Sequence, residues 1–208
     1  MANSIGQGIF QFTKPISIIG SAAIGGAKEG EGPMSAYFDR ICKDSYFGQT
    51  TWEQAEGALQ QETVALALEK AGLQPEQLDA ILAGDLVNQC TSSSYGLRGL
   101  ELPFLGIYGA CSTMSEGLLL ASILTDSGAG SHFAAATSSH FSTAERQFRF
   151  PLSYGAQRTP TAQWTCTAAG AAVLSAMPQA GAPRVTGGCI GFIRDLGVTD
   201  ANHMGAAM

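Results

Sequence analysis

The sequence predicts an α/β layered fold in which helices cover both faces of a mostly parallel sheet. Short apolar segments typical of strands alternate with segments typical of helices, in the order βαβαβαββ. Charged residues make up only 13% of the chain, against about 25% in an ordinary domain. Because so little charge is available to solvate a surface, we expect much of the chain to be covered by its own layers or by a partner.

The first strand and the first long helix have clear sequence boundaries. Residues 16–23 are apolar and β-branched, and two glycines end this segment. A helix is predicted over residues 52–71, with Thr50 and Glu53 as a capping box and Gly72 as its C-terminal stop. Pro75 then suits the first position of a short helix.

The later elements follow from apolar runs bounded by turn residues. Helices are predicted over residues 92–100 and 111–125, and the second of these is apolar on all sides at residues 118–124. Such a helix has to be buried all round, so we expect it to lie between two sheets. Strands are predicted at residues 80–83, 104–108, 132–138, 161–167, 171–177 and 185–193.

The strand at residues 185–193 resembles the strand at residues 16–23, and each is followed by a polar loop. This similarity predicts a first unit at residues 1–180 and the start of a second copy of the same unit at residues 181–208. The chain is therefore expected to be part of a longer, duplicated fold.

Composition excludes several classes of function. The net charge of −6 and the lack of a basic run argue against nucleic acid and against docking on anionic lipid. The five cysteines are widely spaced without a C-x-x-C pair, so neither disulfides, a metal site nor a cofactor is expected. The N-terminus does not resemble a signal peptide, and the longest apolar run is far too short to cross a bilayer.

Cys111 is the most informative residue, because it follows an apolar strand and opens the apolar helix. The positive end of a helix dipole favours a thiolate, which is the nucleophilic form of cysteine. The same geometry binds anions without any covalent step. In the structural alternative, Cys111 is a small apolar side chain that only fills the space between the strand and the helix.

This strand–Ala–Cys–helix segment resembles the nucleophile elbow of the thiolase superfamily, and further stretches resemble one family within it, that of stage V sporulation protein AD. The stretch at residues 143–151 is the most specific, since thiolase enzymes do not generally carry it. The stretches that carry the resemblance are residues 83–89, 106–113, 138–140, 143–151 and 160–165. The resemblance implies a thiolase-like layered fold.

The resemblance also implies binding of dipicolinic acid, alone or as its calcium chelate, and a role in its uptake into the forespore. It implies that the protein works with integral membrane proteins of a spore transport complex and lies peripherally at the spore inner membrane. It also implies a homodimer. A flat dicarboxylate needs donors and cations, and an Arg fork matches a carboxylate. Tyr108 or Phe148 could cover its ring. The ligand-binding residues expected are Asn88, Cys111, Ser112, His140, Arg146 and Arg149.

Two rival functions stay open. An acyltransferase of thiolase type would use Cys111 as its nucleophile, with His140 as the local candidate for the base. The condensing enzymes place a glycine soon after the cysteine, however, whereas here the next one is Gly117. The other rival is a purely structural subunit, in which Arg146 and Arg149 pair with Glu145, and His140 and Asn88 only stabilise loops.

Overall fold

The computed structural model describes residues 2–148 and 165–199, with the side chains of residues 146–148 left out. Within these ranges the strands are β1 (Asn3–Gly6), β2 (Ile9–Gly25), β3 (Arg40–Ile41), β4 (Ala80–Gly84), β5 (Phe104–Gly106), β6 (His132–Ser139), β7 (Ala168–Ser175) and β8 (Arg184–Cys189). The α-helices are α1 (Trp52–Ala71), α2 (Thr91–Leu97), α3 (Thr113–Ser127) and α4 (Phe141–Phe148).

The described strands form one mixed sheet whose central order is β5-β4-β6-β7-β2. Strand β4 is parallel to β5 and β6, while β7 is antiparallel to both β6 and β2. Strands β2, β4, β5 and β6 therefore point in one direction, as predicted for a mostly parallel sheet. The prediction is wrong at β7 and β8, which both run antiparallel to β2, because apolarity identifies a strand but leaves its direction open.

Helix α1 covers one face of the sheet, and its bounds match the sequence prediction. Val64, Ala67 and Leu68 pack against alternate residues of β4, β6 and β7. The cap differs from the prediction, because the hydroxyl of Thr51, and not that of Thr50, accepts the amide proton of Gln54 at 3.2 Å. Gly72 ends the helix in the left-handed conformation, with φ at 68°, as expected.

Helix α3 covers the opposite face, since it packs against the intervening residues of the same strands. Its buried positions Gly117, Ala121 and Thr125 lie against the sheet. Leu118, Leu119, Leu120, Ile123 and Leu124 are only half-buried. Within the described residues a single sheet lies on one side of α3, so its position between two sheets stays a prediction.

Several elements depart from the predictions. Helix α2 is shorter than expected and continues as a 3₁₀ turn at Arg98–Leu100. The strand predicted at residues 161–167 lies partly outside the described residues, and residues 165–167 are irregular. The strands β1 and β3 and the helix α4 were not predicted. Strand β8 pairs with β2 in the same sheet, so the domain boundary at residue 180 stays a prediction.

Among residues 2–148 and 165–199, no helix combines the length and the apolar character that a membrane span requires.

Candidate functional site

The parallel strands β4 and β5 bring two loops together where these strands end. Residues 85–90 follow β4 and carry Asn88, whereas residues 107–112 follow β5 and carry Cys111. The amide of Ile107 donates to the carbonyl of Ala83 at 3.0 Å. The thiol of Cys90 in turn donates to the carbonyl of Ile107 at 3.1 Å. The structure thus places the predicted residues Asn88 and Cys111 on adjacent, linked loops.

Cys111 lies in the 3₁₀ turn Ala110–Ser112, which leads directly into α3, and its side chain is exposed. The amide of Ser112 donates to the carbonyl of Gly109 at 2.9 Å, and the Ser112 hydroxyl donates to the same oxygen at 2.7 Å. The Ser112 amide is therefore already paired within the turn in this conformation. The exposed thiol of Cys111 still faces solvent at the start of the helix.

Both loops contain non-glycine residues in the left-handed region of backbone space. The φ angles are 61° at Gln89, 52° at Cys90 and 47° at Ala110. L-residues adopt this conformation at a cost, and such residues concentrate at binding and catalytic sites. Backbone strain in both loops, the one after β4 and the one that contains Cys111, is typical of functional loops.

Tyr108 and Asp85 complete the surroundings of Cys111. Tyr108 is half-exposed, and burial raises the pKa of its phenol, with the charges of Asp85, Cys90 and Cys111 adding to the effect. Asp85 is buried and accepts hydrogen bonds from the Val87 amide at 2.7 Å and from the hydroxyl of Ser93 at 2.6 Å. Burial, followed by the charge of Asp85, also raises the pKa of the Cys90 thiol.

A second carboxylate flanks the same turn. A Cβ atom added to Gly109 would lie 2.6 Å from Oε2 of Glu116, so this carboxylate lies against the backbone of the loop. The charge of Glu116 also acts on Cys90, as does that of Asp85. An anionic ligand at this site therefore needs a nearby cation.

His140 occupies a different environment from the one predicted. Its side chain is fully buried, and its Nε2 lies 2.9 Å from the carbonyl oxygen of Ser45. The amide of Ser142 donates to Nδ1 at 3.2 Å. Because a carbonyl can only accept and an amide can only donate, the ring is the neutral Nε2–H tautomer. The expected positive charge on His140 is wrong for this conformation.

An aromatic cluster encloses the His140 ring. Its centroid lies 5.1 Å from that of Trp52 and 5.0 Å from that of Phe141. A cavity of about 190 Å³ lies beside this cluster and is lined by residues that include Lys28, Glu29 and Phe141. Ser45 and Phe141 line this cavity, whereas His140 and Cys111 do not.

Glu56 is a buried acid that sequence analysis missed. It lies on α1, fully buried, where Oε1 accepts a hydrogen bond from Ser138 at 3.1 Å and Oε2 lies 2.6 Å from the hydroxyl oxygen of Thr143. Burial raises the pKa of its carboxyl group to about 7, and the charge of Asp85 contributes. A signal was present, since the polar residues Glu56, Gln60 and Thr63 recur at helical spacing on the buried face of α1.

The side chains of the two predicted arginines are not among those that the structure describes. Arg146 lies in α4 without a described side chain, and Arg149 lies outside the described residues, as do residues 200–208. Glu145 is buried and accepts from the Thr165 amide at 3.4 Å, an interaction that joins α4 to the segment before β7. Among the described residues no cluster of three or more metal-binding side chains occurs.

The sheet order, the helices on its two faces and the cysteine turn before α3 define a thiolase-like protein. Solved structures with this fold include 3-oxoacyl-[acyl-carrier-protein] synthase III from Aquifex aeolicus VF5, with a TM-score of 0.54 and 17% identity over 79% of this chain and 55% of that one. Cerulenin-bound OleA from Xanthomonas campestris has a TM-score of 0.51 and 14% identity over 79% and 57% of the two chains. At these identities the likeness concerns the fold alone.

Within this class, the chain belongs to the stage V sporulation protein AD family, whose model matches residues 6–208. The stage V sporulation protein AD of Bacillus subtilis (strain 168) is 42% identical to it over 203 residues. This match covers 98% of the chain but 60% of the relative, so the chain spans about three fifths of that protein's length. The predicted family and thiolase-like fold are confirmed, and family membership supports a role in sporulation.

Proposed function

We propose that this chain is the ligand-binding part of a sporulation protein that binds dipicolinic acid and aids its uptake into the forespore. Membership of the stage V sporulation protein AD family is the observation that carries the proposal. The exposed, strained loops after β4 and β5 are its proposed binding surface. Adjacent loops at the carboxyl ends of strands are the usual position of ligand sites in α/β proteins.

The chemistry of these loops suits a small, flat dicarboxylate. The amide group of Asn88 and the hydroxyl of Ser112 provide polar atoms, and both residues are exposed. The ring of Tyr108, beside Cys111, can cover an aromatic face. In the proposal, Arg146 and Arg149 provide the charge, because a guanidinium group binds a carboxylate through two parallel hydrogen bonds.

The two carboxylates next to the site favour the calcium chelate over the free dianion. Asp85 and Glu116 both act on Cys90, at the centre of the linked loops. A dianion would be repelled by these charges, whereas its calcium complex carries no net charge. The proposed ligand is accordingly dipicolinate bound together with Ca²⁺.

The geometry supports binding more than catalysis. A cysteine nucleophile needs a base within hydrogen-bonding distance. His140, the candidate named from the sequence, is instead bonded to Ser45 and Ser142 and is enclosed by aromatic rings. We therefore propose a non-catalytic role for Cys111, in which its exposed side chain forms part of the binding surface.

The proposed setting is the spore inner membrane. Transport of a polar compound requires membrane-spanning proteins, and the described part of this chain contains no helix able to span. We propose that integral membrane proteins of the transport complex supply that function. A homodimer is also proposed, because β5 forms an edge of the described sheet and exposes Phe104 and Leu105.

Isothermal titration calorimetry with dipicolinate, in the presence and absence of Ca²⁺, tests the proposal directly. We expect binding in the millimolar range or tighter, with higher affinity when Ca²⁺ is present. Isophthalate, which has the same spacing of two carboxylates but no pyridine nitrogen, is the matched control ligand and should bind more weakly. Absence of measurable heat with either form of dipicolinate would refute the proposal.

The second candidate function is acyl transfer with Cys111 as nucleophile. The observation that favours it is the exposed Cys111 on a strained turn at the start of α3. Incubation with an acyl-CoA, followed by peptide mass spectrometry, would reveal an acyl adduct on Cys111. An adduct that is absent from Cys111→Ala would support this candidate. A protein without an adduct would support the binding function.

A further inference from the structure

Glu56 joins three elements of the fold through one buried carboxyl group. It lies on α1, while its hydrogen-bonding partners Ser138 and Thr143 belong to β6 and to the first turn of α4. All three residues are at least nine-tenths buried. An ionised carboxylate in such surroundings is costly unless it is paired with a positive charge.

The contacts of Thr143 indicate which form of Glu56 fits the structure. The Thr143 oxygen lies 2.6 Å from Oε2 of Glu56 and 2.9 Å from the carbonyl oxygen of His140. A hydroxyl group has one proton, so it cannot donate to two acceptors at once. When Glu56 is protonated, it can donate to Thr143, and Thr143 can then donate to His140. Both short contacts are hydrogen bonds only in the protonated form.

Among the described side chains, the groups that act on Glu56 do not include a cation. From the loop after β4, the charged group acting on it is Asp85, which has the same sign. From α2 the neighbour is Ser92, and from β6 it is Ser138, both neutral. His140, just before α4, is neutral through its own hydrogen bonds, and Glu145 on α4 accepts from the Thr165 amide.

We propose that Glu56 is a proton-operated latch that holds the first turn of α4 against α1 and β6. With a proton, the Glu56–Thr143–His140 chain of hydrogen bonds is complete and α4 is fixed. Without it, the buried negative charge faces Asp85, and α4 separates from α1 so that water can reach the carboxylate. Because α4 carries Arg146, the latch would also set the position of this arginine, although the latch itself does not depend on the proposed ligand.

The direction of the pH dependence follows from the raised pKa. The carboxyl group titrates at about 7 in the closed structure and at 4.5 when it is exposed to water. The stability that the closed form gains is therefore complete below pH 4.5 and is lost as the pH rises through 7. Between pH 6 and pH 8 the population of the open form should rise by roughly tenfold.

Amide hydrogen exchange of the full chain, followed by mass spectrometry without any ligand, tests the latch. After correction for the intrinsic pH dependence of exchange, α4 peptides of the unmodified protein should exchange roughly tenfold faster at pH 8 than at pH 6. In Glu56→Gln, whose amide imitates the protonated acid, the corrected rate should not change with pH. Glu69→Gln, at an exposed position of the same helix, is the matched control and should behave like the unmodified protein.

A second pair of variants keeps the test decisive if Glu56→Gln fails to fold. Thr143→Val removes the hydroxyl while keeping the shape, and should speed the exchange of α4 at pH 6, where the Glu56–Thr143–His140 chain is complete in the unmodified protein. Thr143→Ser keeps the hydroxyl and should exchange at pH 6 like the unmodified protein. The proposal is overturned if corrected exchange of α4 in the unmodified protein is the same at pH 6 and pH 8, if Glu56→Gln responds to pH as the unmodified protein does, or if Thr143→Val exchanges at pH 6 no faster than Thr143→Ser.

Discussion

The thiol of Cys90 donates to the carbonyl of Ile107 at 3.1 Å and so ties together the two loops of the candidate site. Cys90 is also buried, at 8% exposure. We expect Cys90→Ala to lower the free energy of unfolding by about 1–2 kcal/mol, because both packing and a hydrogen bond are lost. Urea denaturation measures this change.

The exposed Cys189 provides the control for this experiment. Cys189→Ala should leave the free energy of unfolding within about 0.5 kcal/mol of the original value. Equal effects of the two substitutions would show that Cys90 does not hold the loops together.

Cys166 is expected to react slowly even though the residue is exposed. Burial of its thiol raises the pKa to about 12, and the charge and hydrogen bond of Glu29 add to the effect. At pH 8 the thiol is then almost entirely protonated, and the protonated form is a poor nucleophile. Peptide-level mass spectrometry after brief iodoacetamide treatment should show far less labelling of Cys166 than of Cys189.

Glu29→Gln separates the contribution of charge from that of burial. The variant removes the negative charge but keeps an oxygen that can accept from the Thr167 amide, as Glu29 does at 3.0 Å. Labelling of Cys166 should become faster in this variant, while labelling of Cys189 should not change. An unchanged Cys166 rate would mean that burial alone controls the thiol.

Helices α1 and α2 cross where Gly57 meets Gly96. A Cβ atom added to Gly96 would lie 2.6 Å from the Cα atom of Gly57, so the helices would have to separate. We expect Gly96→Ala to destabilise the protein by about 1–3 kcal/mol. In a helix without this contact the same substitution stabilises by about 0.5–1 kcal/mol, so the sign of the change is diagnostic.

Gly99→Ala is the matched control, because an added Cβ there meets only Nε2 of Gln61 at 3.6 Å. It should be neutral or stabilising in thermal denaturation. If Gly96→Ala were equally harmless, the close crossing of α1 and α2 would be refuted.

Local signals explain which parts of the fold could be predicted. The C-terminal end of α1 was predicted to the residue because Gly72, at φ 68°, ends the helix through its own backbone conformation. The strand–turn–helix around Cys111 is similarly encoded within a few consecutive residues. The direction of β7 was missed because it depends on how the chain returns to the sheet.

Long-range contacts explain the parts of the site that could not be predicted. His140 is bonded to Ser45, which lies 95 residues earlier in the chain. Glu56 is bonded to Ser138 and Thr143, which lie 82 and 87 residues later. No local pattern specifies such partners, so a histidine expected to carry charge proved to be neutral, and a structural acid was overlooked.

The proposed ligand site predicts that the two arginines act on binding. Arg146→Ala and Arg149→Ala should each weaken the binding of calcium dipicolinate by about tenfold or more, because each removes a charge-assisted pair of hydrogen bonds. Arg184→Ala, on the exposed start of β8, is the control and should bind normally. Calorimetry with all three variants gives the comparison, and unchanged affinity in both arginine variants would remove them from the site.

The edge strand β5 leads to a prediction about assembly. Strand β5 lies at the end of the described sheet order, and its Phe104 and Leu105 are 38% and 48% exposed. An open edge with apolar side chains favours pairing with a second copy of the same strand. Sedimentation equilibrium should therefore show a dimer, and Leu105→Lys should shift it toward monomer, since a charge on this edge opposes pairing. Tyr95→Ser, at a 65% exposed position of α2, should leave the dimer intact, whereas a dimer that persists in Leu105→Lys would place the contact on another surface.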